Sequence, residues 1–232
     1  MMLKVLGLDL SMTASGICFP NGNTSTVATN AKDKDARLVV IRNAVRSAVI
    51  STRPDLVVME EAPPGLKGPA IKAIHMVQGA VRTALLDLEV PYAVVNPSTL
   101  KAYATGRKGA DKTAMAMAAF KRADREFADD NQCDAWWLRT MGLDWFGYAD
   151  VLLPMAQRDF MKAVDWPAVP DPVEPVRIST LVVEEYTITG DGGRIVLAEA
   201  AEGPVRLSTL LDEGSPVRVG SSDPVPCHFD AR

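Results

Sequence analysis

Carboxylates stand at three places where the chain turns: Asp9, Glu60 with Glu61, and Asp129-Asp130 with Asp134. Asp9 ends the apolar run Val5-Leu6-Gly7-Leu8, and Ser, Thr and Gly residues that permit a tight turn follow it. Glu60 ends Leu56-Val57-Val58-Met59, shortly before Pro63-Pro64-Gly65. Burying a lone acid at such an end is costly unless it is paired or binds a metal. Asp9 is therefore either a metal ligand or a cap on its turn. Asp130 and Asp134 are four apart, on one face of a helix, where like charges repel. A divalent cation would offset that repulsion. Hard oxygen donors without histidine partners favour Mg2+, with Mn2+ as a substitute, over Zn2+. Two such ions, roughly 4 Å apart, would stabilise both the attacking and the leaving oxygen of a phosphodiester displacement. The competing reading makes Asp129 and Asp130 simple caps of a helix N-terminus. That reading serves either residue alone, but it explains poorly why Asp9, Glu60 and Asp134 all close neighbouring elements.

The elements that must position these acids follow from periodicity. Residues 3–9, 14–19 and 24–29 read as strands, with Pro20-Asn21-Gly22-Asn23 as a hairpin turn, because Asn-Gly takes positive φ readily. From Asp33 to Thr52, the positions Leu38, Ile41, Val45, Ala48 and Val49 repeat with helical spacing. The run from Asp55 to Met59 is apolar throughout, as expected for a strand covered on both faces. A helix is predicted over 69–88 on the stripe Ile71, Ile74, Val77, Val81 and Leu85, then a strand over 90–95. Helices follow over 112–127, 130–141 and roughly 147–164. Together these predict an α/β fold whose five-stranded mixed sheet joins a three-strand antiparallel meander to two parallel strands, flanked by helices. Parallel strands of this kind carry active-site residues at their carboxyl ends, where Asp9 and Glu60 stand.

Composition sets the outer bounds. No run approaches eighteen apolar residues, so no membrane span is expected. Three scattered cysteines (Cys18, Cys133, Cys227) argue for a reducing cytoplasm over a disulfide framework. The net charge of −4 conceals an asymmetry: residues 65–125 hold 10 Lys/Arg against 4 Asp/Glu, whereas 166–232 hold 5 against 11. The basic middle is either a solvated mixed surface or a patch facing a polyanion. Residues 1–165 are expected to form one domain, 166–175 a Pro-rich linker, and 176–232 a small acidic β-rich segment. In that segment Pro175-Val176-Arg177-Ile178-Ser179-Thr180-Leu181 recurs nearly verbatim at 204–210, and Asp191-Gly192-Gly193 reads as a hairpin turn. Lys101, Arg107, Lys108 and Lys112 could hold a nucleic-acid backbone in a salt-sensitive way; alternatively they form an ordinary basic loop and helix start. Thr105 to Thr113 superficially resembles a nucleotide-binding loop, but Asp111 precedes Lys112 where Gly is required and the spacing is wrong. Trp136 and Trp137 suit core packing better than base stacking, His75 suits a helix surface or interface, and Cys227-His228 is too sparse for a metal site.

The acidic positions and their flanks resemble the RuvC family of Holliday-junction resolvases, within the ribonuclease H-like superfamily. Gly7-Leu8-Asp9-Leu10-Ser11 with Thr13-Ala14-Ser15-Gly16 resembles the family's opening strand Gly-Ile-Asp-Pro-Gly and its Thr-Gly. Met59-Glu60-Glu61 stands where the family has Ile-Glu-Gln, and Asp134-Ala135 resembles the Asp-Ala of its last helix. The segment from Pro97 to Gly106, with Gly109-Ala110-Asp111-Lys112, is similar to its Val-Lys…Gly…Lys. The likeness covers residues 3 to about 142.

The resemblance implies that Asp9, Glu60 and Asp134 ligate metal, and that Lys101 and Lys112 face phosphate, with Lys112 in the catalytic set. The family's other helix carboxylate falls on Asn131, with Asp130 next door; Asp130 is preferred as the completing ligand because a second ion needs negative charge. Leu10-Ser11 departs from Pro-Gly, which leaves the turn after Asp9 open. Lys67 and Lys72 fall where the family meets DNA near the junction centre, and the helix behind them supports dimerisation. The implied activity is Mg2+-dependent cleavage of branched DNA, especially four-way junctions, by a homodimer acting in DNA recombination and repair, with 5′-phosphate and 3′-hydroxyl products. A compact form of this kind would fit a phage-encoded enzyme working in the host cytoplasm. The alternatives are a ribonuclease H-like nuclease acting on flaps, forks or structured RNA, an inactive DNA-binding relative, and an actin-like ATPase. The last would need a duplicated domain and a second phosphate loop.

Overall fold

In the computed structural model, residues 3–30, 32–62, 65, 68–169, 182–187 and 194–199 are described. The chain forms two compact units, Met1–Pro172 and Val173–Arg232. The first contains β1 (Val5–Asp9), β2 (Ala14–Cys18), β3 (Thr24–Ala28), α1 (Lys34–Thr52), β4 (Leu56–Glu60), α2 (Pro69–Asp87) and β5 (Tyr92–Val95). It continues with α3 (Pro97–Thr105), α4 (Lys112–Ala123), α5 (Asp130–Trp145), α6 (Met155–Arg158) and a 3-10 turn at Asp159–Ala163. The second holds β6 (Val182–Thr187) antiparallel to β7 (Arg194–Glu199). The 175–181 and 204–210 repeat, Asp191-Gly192-Gly193, Cys227-His228 and Lys67 lie outside the described residues. Among the described residues no helix is long and apolar enough to cross a membrane.

The five strands run in the order β3-β2-β1-β4-β5. β1, β2 and β3 form the antiparallel meander, and β1, β4 and β5 are parallel. Strand side chains alternate between the two faces, and the core divides accordingly. Leu6, Leu8, Val57 and Met59 pack with Ile41, Val45, Val77 and Val81 of α1 and α2. Val5, Leu56, Val58, Ala93 and Val95 pack with Ala135, Leu138 and Met141 of α5 and with Leu100 and Tyr103 of α3. The same alternation puts Asp9 in phase with Val5 and Glu60 in phase with Val58, on the α5 face. Parallel pairing sets Leu8 beside Met59, so Asp9 and Glu60 are the next residues along adjacent strands.

Two elements differ from the sequence pattern. Pro97–Thr105, to which the sequence pattern assigns no element, is a helix: Asn96 caps it by accepting from Ser98 N at 3.0 Å, and Pro97 takes a first-turn position where no N–H is needed. The helix predicted over 147–164 is absent. Gly147 stands at φ 83° and Pro154 interrupts the segment, leaving one turn of α6 and the 3-10 turn. Trp136 and Trp137 are buried in the core, and Trp137 Nε1 donates to Met115 O at 3.2 Å. Near the C-terminal end of α5, the wholly buried Asp144 contacts Arg158 at 2.6 Å and accepts from the Tyr103 hydroxyl at 3.2 Å. Removing one partner of a buried pair leaves an uncompensated charge. Arg158→Met is therefore expected to cost about 3 kcal/mol in a urea unfolding titration, more than the loss of a surface ion pair.

Candidate active site

α5 reaches the carboxylates because glycines let it lie directly on the sheet. A Cβ at Gly7 would stand 2.0 Å from Ala135 O, and one at Gly16 would stand 2.0 Å from Asn131 O. At Gly142, on the helix side, it would meet Val58 Cγ2 at 2.8 Å. Only Gly fits such approaches, and they bring Asp134, one residue before Ala135, over the ends of β1 and β4. The turn after Asp9 is built from hydroxyls where the resembled family has Pro-Gly. Ser11 Oγ donates to Ala14 O at 2.7 Å, and the buried Ser15 Oγ donates to Ser11 O at 2.8 Å and accepts from Ser11 N at 3.0 Å.

Asp9, Glu60 and Asp134 are half-buried and, among the described residues, their carboxylates make no hydrogen bond or ion pair. Burial pushes the Asp9 carboxyl up to about 7, with Asp134 adding repulsion and Lys112 opposing. Burial pushes Glu60 up to about 9, reinforced by Asp9 and Asp134 and opposed by Lys101. Asp134 rises to about 6, again chiefly by burial, with Lys101 and Lys112 opposing and Asp130 adding repulsion. Each group thus binds its proton more tightly folded than unfolded. Stability from these groups is present at low pH and is lost as pH rises from about 4 towards 9. The metal-free protein should lose at least about 2 kcal/mol between roughly pH 5 and pH 9, measured by chemical unfolding across that range. A flat or rising profile would contradict the site's electrostatics.

The remaining residues singled out by sequence divide cleanly. Asp129 is the N-cap of α5: it accepts from Gln132 N at 2.9 Å and from the Thr26 hydroxyl. Asp130, one turn from Asp134, is exposed and paired with Lys112 at 2.6 Å. That hydrogen bond is the main cause raising the Lys112 ammonium above its ordinary value. Asn131 is half-buried and contributes its backbone to the contact over Gly16. Lys101 lies on α3, half-buried and close enough to act on Glu60 and Asp134. Arg107 and Lys108 are exposed between α3 and α4, Lys108 standing 5.8 Å from the Phe160 ring centroid. Lys72 and His75 are exposed on α2. One positioning residue escaped the sequence reading: buried Gln78, whose Nε2 donates to Glu60 O at 2.9 Å. Its signal was a lone amide beside Val77, four residues after Ile74 on the buried stripe.

Among the described residues no three His, Cys, Asp or Glu side chains form a ready-made metal cage. The donor chemistry nevertheless fits a hard divalent cation: three desolvated carboxylates that repel one another and, among the described residues, have no hydrogen-bond or ion-pair partner. No protein-family model and no curated protein sequence matches the chain. Solved structures do. Thermus thermophilus RuvC aligns with a TM-score of 0.53 at 20% identity, over 65% of this chain and all of its own. The chain has the RuvC fold. The same RuvC in complex with a Holliday junction substrate aligns at TM-score 0.55 and 20% identity, over 65% of this chain and 99% of its own. A yeast mitochondrial Holliday junction resolvase is more distant, at TM-score 0.41 and 13% identity over 70% and 83% of the two chains. The RuvC fold matches the five-stranded mixed sheet and flanking helices expected from sequence.

Proposed function

We propose that this chain is a divalent-metal-dependent endonuclease that cleaves branched DNA, with four-way junctions as its principal substrate. The observation that carries the proposal is the convergence of Asp9, Glu60 and Asp134: desolvated carboxylates, unpartnered among the described residues, from two strand ends and one helix of a RuvC fold. They would hold Mg2+ or Mn2+, with Asp130 released from Lys112 as the completing ligand and Asn131 beside it. A bound cation would neutralise the carboxylates and stabilise negative charge on the phosphate oxygens. The chain's own groups do the rest. Lys101 and Lys112 set the charge balance of the site and face the phosphate, while Arg107, Lys108, Lys72 and Lys67 hold flanking backbone. Such contacts orient the duplex arms without reading sequence. A two-fold symmetric junction has two strands to cut, so the active form is a homodimer.

The test is a substrate panel for the full chain with Mg2+ and with Mn2+: four-way junction, flap, fork and RNA–DNA hybrid. Paired nicks in the junction that disappear with chelator support the proposal. Cleavage confined to flaps, forks or hybrids would assign the site to the broader nuclease class, and no cleavage of any substrate would refute the proposal.

A further inference from the structure

α5 lies across two rows of paired residues in the meander. One row is Gly7, Cys18 and Thr24; the other is Asp9, Gly16 and Thr26. Residues directly opposite one another in antiparallel strands share a face, so Thr24 and Thr26 end these rows at the sheet edge, on the α5 side. Gly7 and Gly16 admit the helix backbone at Ala135 O and Asn131 O. A glycine permits such an approach but supplies no directed contact, so it does not fix how far the helix slides or turns. The edge hydroxyls do. Thr24 Oγ1 donates to Gln132 Oε1 at 2.9 Å, and Gln132 Nε2 donates to Thr26 Oγ1 at 3.0 Å. Thr26 Oγ1 donates in turn to the Asp129 carboxylate, whose other oxygen accepts from Gln132 N at 2.9 Å. This run of bonds ends on a charged acceptor, which strengthens the bonds it accepts. It holds the first turn of α5, where Asp130 and Asn131 stand, with Asp134 one turn on.

We propose that Thr24, Thr26, Gln132 and Asp129 form a clamp that sets the register of α5 on the sheet and thereby positions Asp130 and Asp134 for metal; the metal itself rests on the nuclease reading above. Asp129 is close enough to Asp9 to repel it, yet both its oxygens are engaged by Thr26 and Gln132. Its part is to hold the helix, not to ligate. Thr26 stands in the same cross-strand row as Asp9, two strands away, so the edge strand and the carboxylate share one reference line along the sheet. The geometric demand is severe. A slip by one residue moves a helix side chain about 1.5 Å along the axis and about 100° around it, and a misplacement of about 1 Å can cost about a hundredfold in rate.

The test is Mn2+ binding to the full chain without DNA, read by calorimetry. Thr26→Val keeps the side chain's shape and strand propensity and removes the hydroxyl. It should bind Mn2+ about tenfold more weakly than wild type, and Thr26→Ser should restore the affinity. Gln132→Leu should lose about as much, and the double variant less than the sum, because both act in one network. Asp129→Asn keeps a capping oxygen and should stay close to wild type; a loss matching that of Asp9→Asn would make Asp129 a ligand and overturn the clamp. Arg158→Met weakens the fold near the other end of α5 and should leave Mn2+ affinity unchanged, which separates positioning from general destabilisation. In cleavage assays Thr26→Val should recover as Mn2+ is raised, whereas Asp9→Asn should not. If Thr26→Val binds Mn2+ as well as wild type or better, while wild type cuts junctions, the clamp alone is sunk. Affinities in the expected order in a protein that cuts no branched DNA uphold the clamp and sink the nuclease reading. No Mn2+ binding by wild type overturns both.

Discussion

Asp9→Asn is expected to stabilise the metal-free protein and, at the same time, to lower junction cleavage about a thousandfold or more. The two effects share one cause. The Asp9 carboxylate is desolvated, faces Asp134, and has no hydrogen bond or ion pair among the described residues. Replacing it with a neutral group of the same shape removes a buried charge and its repulsion, a gain of about 1–2 kcal/mol near neutral pH. A metal site built on that carboxylate loses several kcal/mol of transition-state stabilisation, and each 1.36 kcal/mol is about tenfold in rate. Junction binding, read by gel shift in Ca2+, should be retained, because the proposed phosphate contacts lie on the lysines and arginines. The turn-cap role predicts the opposite pattern. Losing a cap costs about 0.5–2 kcal/mol and would reach cleavage only indirectly. Unfolding curves and cleavage rates on one pair of proteins separate the two roles, and a destabilised, fully active Asp9→Asn would refute the metal-site proposal.

The strands were legible because each is a short apolar or alternating run bounded by Gly, Pro, Asn or Ser, and because a period of two leaves little freedom of register. That regularity places the ends of β1 and β4 side by side, with Asp9 and Glu60 on them. What stayed illegible depends on single side chains. Asp129 and Asp130 are identical in type and adjacent; only the hydrogen bonds from Gln132 N and Thr26 fix Asp129 as the cap and leave Asp130 to pair with Lys112. The helix from Pro97 carried a readable start in Asn96-Pro97, but its nine residues and the basic segment beyond Gly106 masked it. The region 147–164 has helix-like spacing without continuity, and Gly147 and Pro154 prevail over the spacing. Gln78 shows the same limit from the other side. An amide on a buried stripe signals a required hydrogen bond, yet only the fold names its acceptor, the carbonyl of Glu60.

Gly7→Ala, like Gly16→Ala, should be among the most damaging one-methyl changes at the described glycines. The added Cβ would lie 2.0 Å from Ala135 O and 2.8 Å from Arg139 N, both backbone atoms that cannot rotate aside. Relief requires α5 to lift from β1, or β1 to bend, against a core that holds Trp137, Leu138 and Met141 fully buried. Overpacking of this kind costs about 3 kcal/mol, and here it comes without the relaxation a flexible side chain would allow. Lifting α5 also carries Asp134 away from Asp9 and Glu60, and a displacement of about 1 Å can cost about a hundredfold in rate. Activity under conditions where the variant is still folded should therefore fall further than its stability implies. Gly79→Ala is the control. Its Cβ enters open space on α2, and helix propensity alone should make that variant about 0.5–1 kcal/mol more stable. Urea titrations and junction-cleavage rates on both variants test the geometry. If Gly7→Ala unfolded at the same urea concentration as the parent and cut as fast, the close seat of α5 on the sheet would not be what positions Asp134.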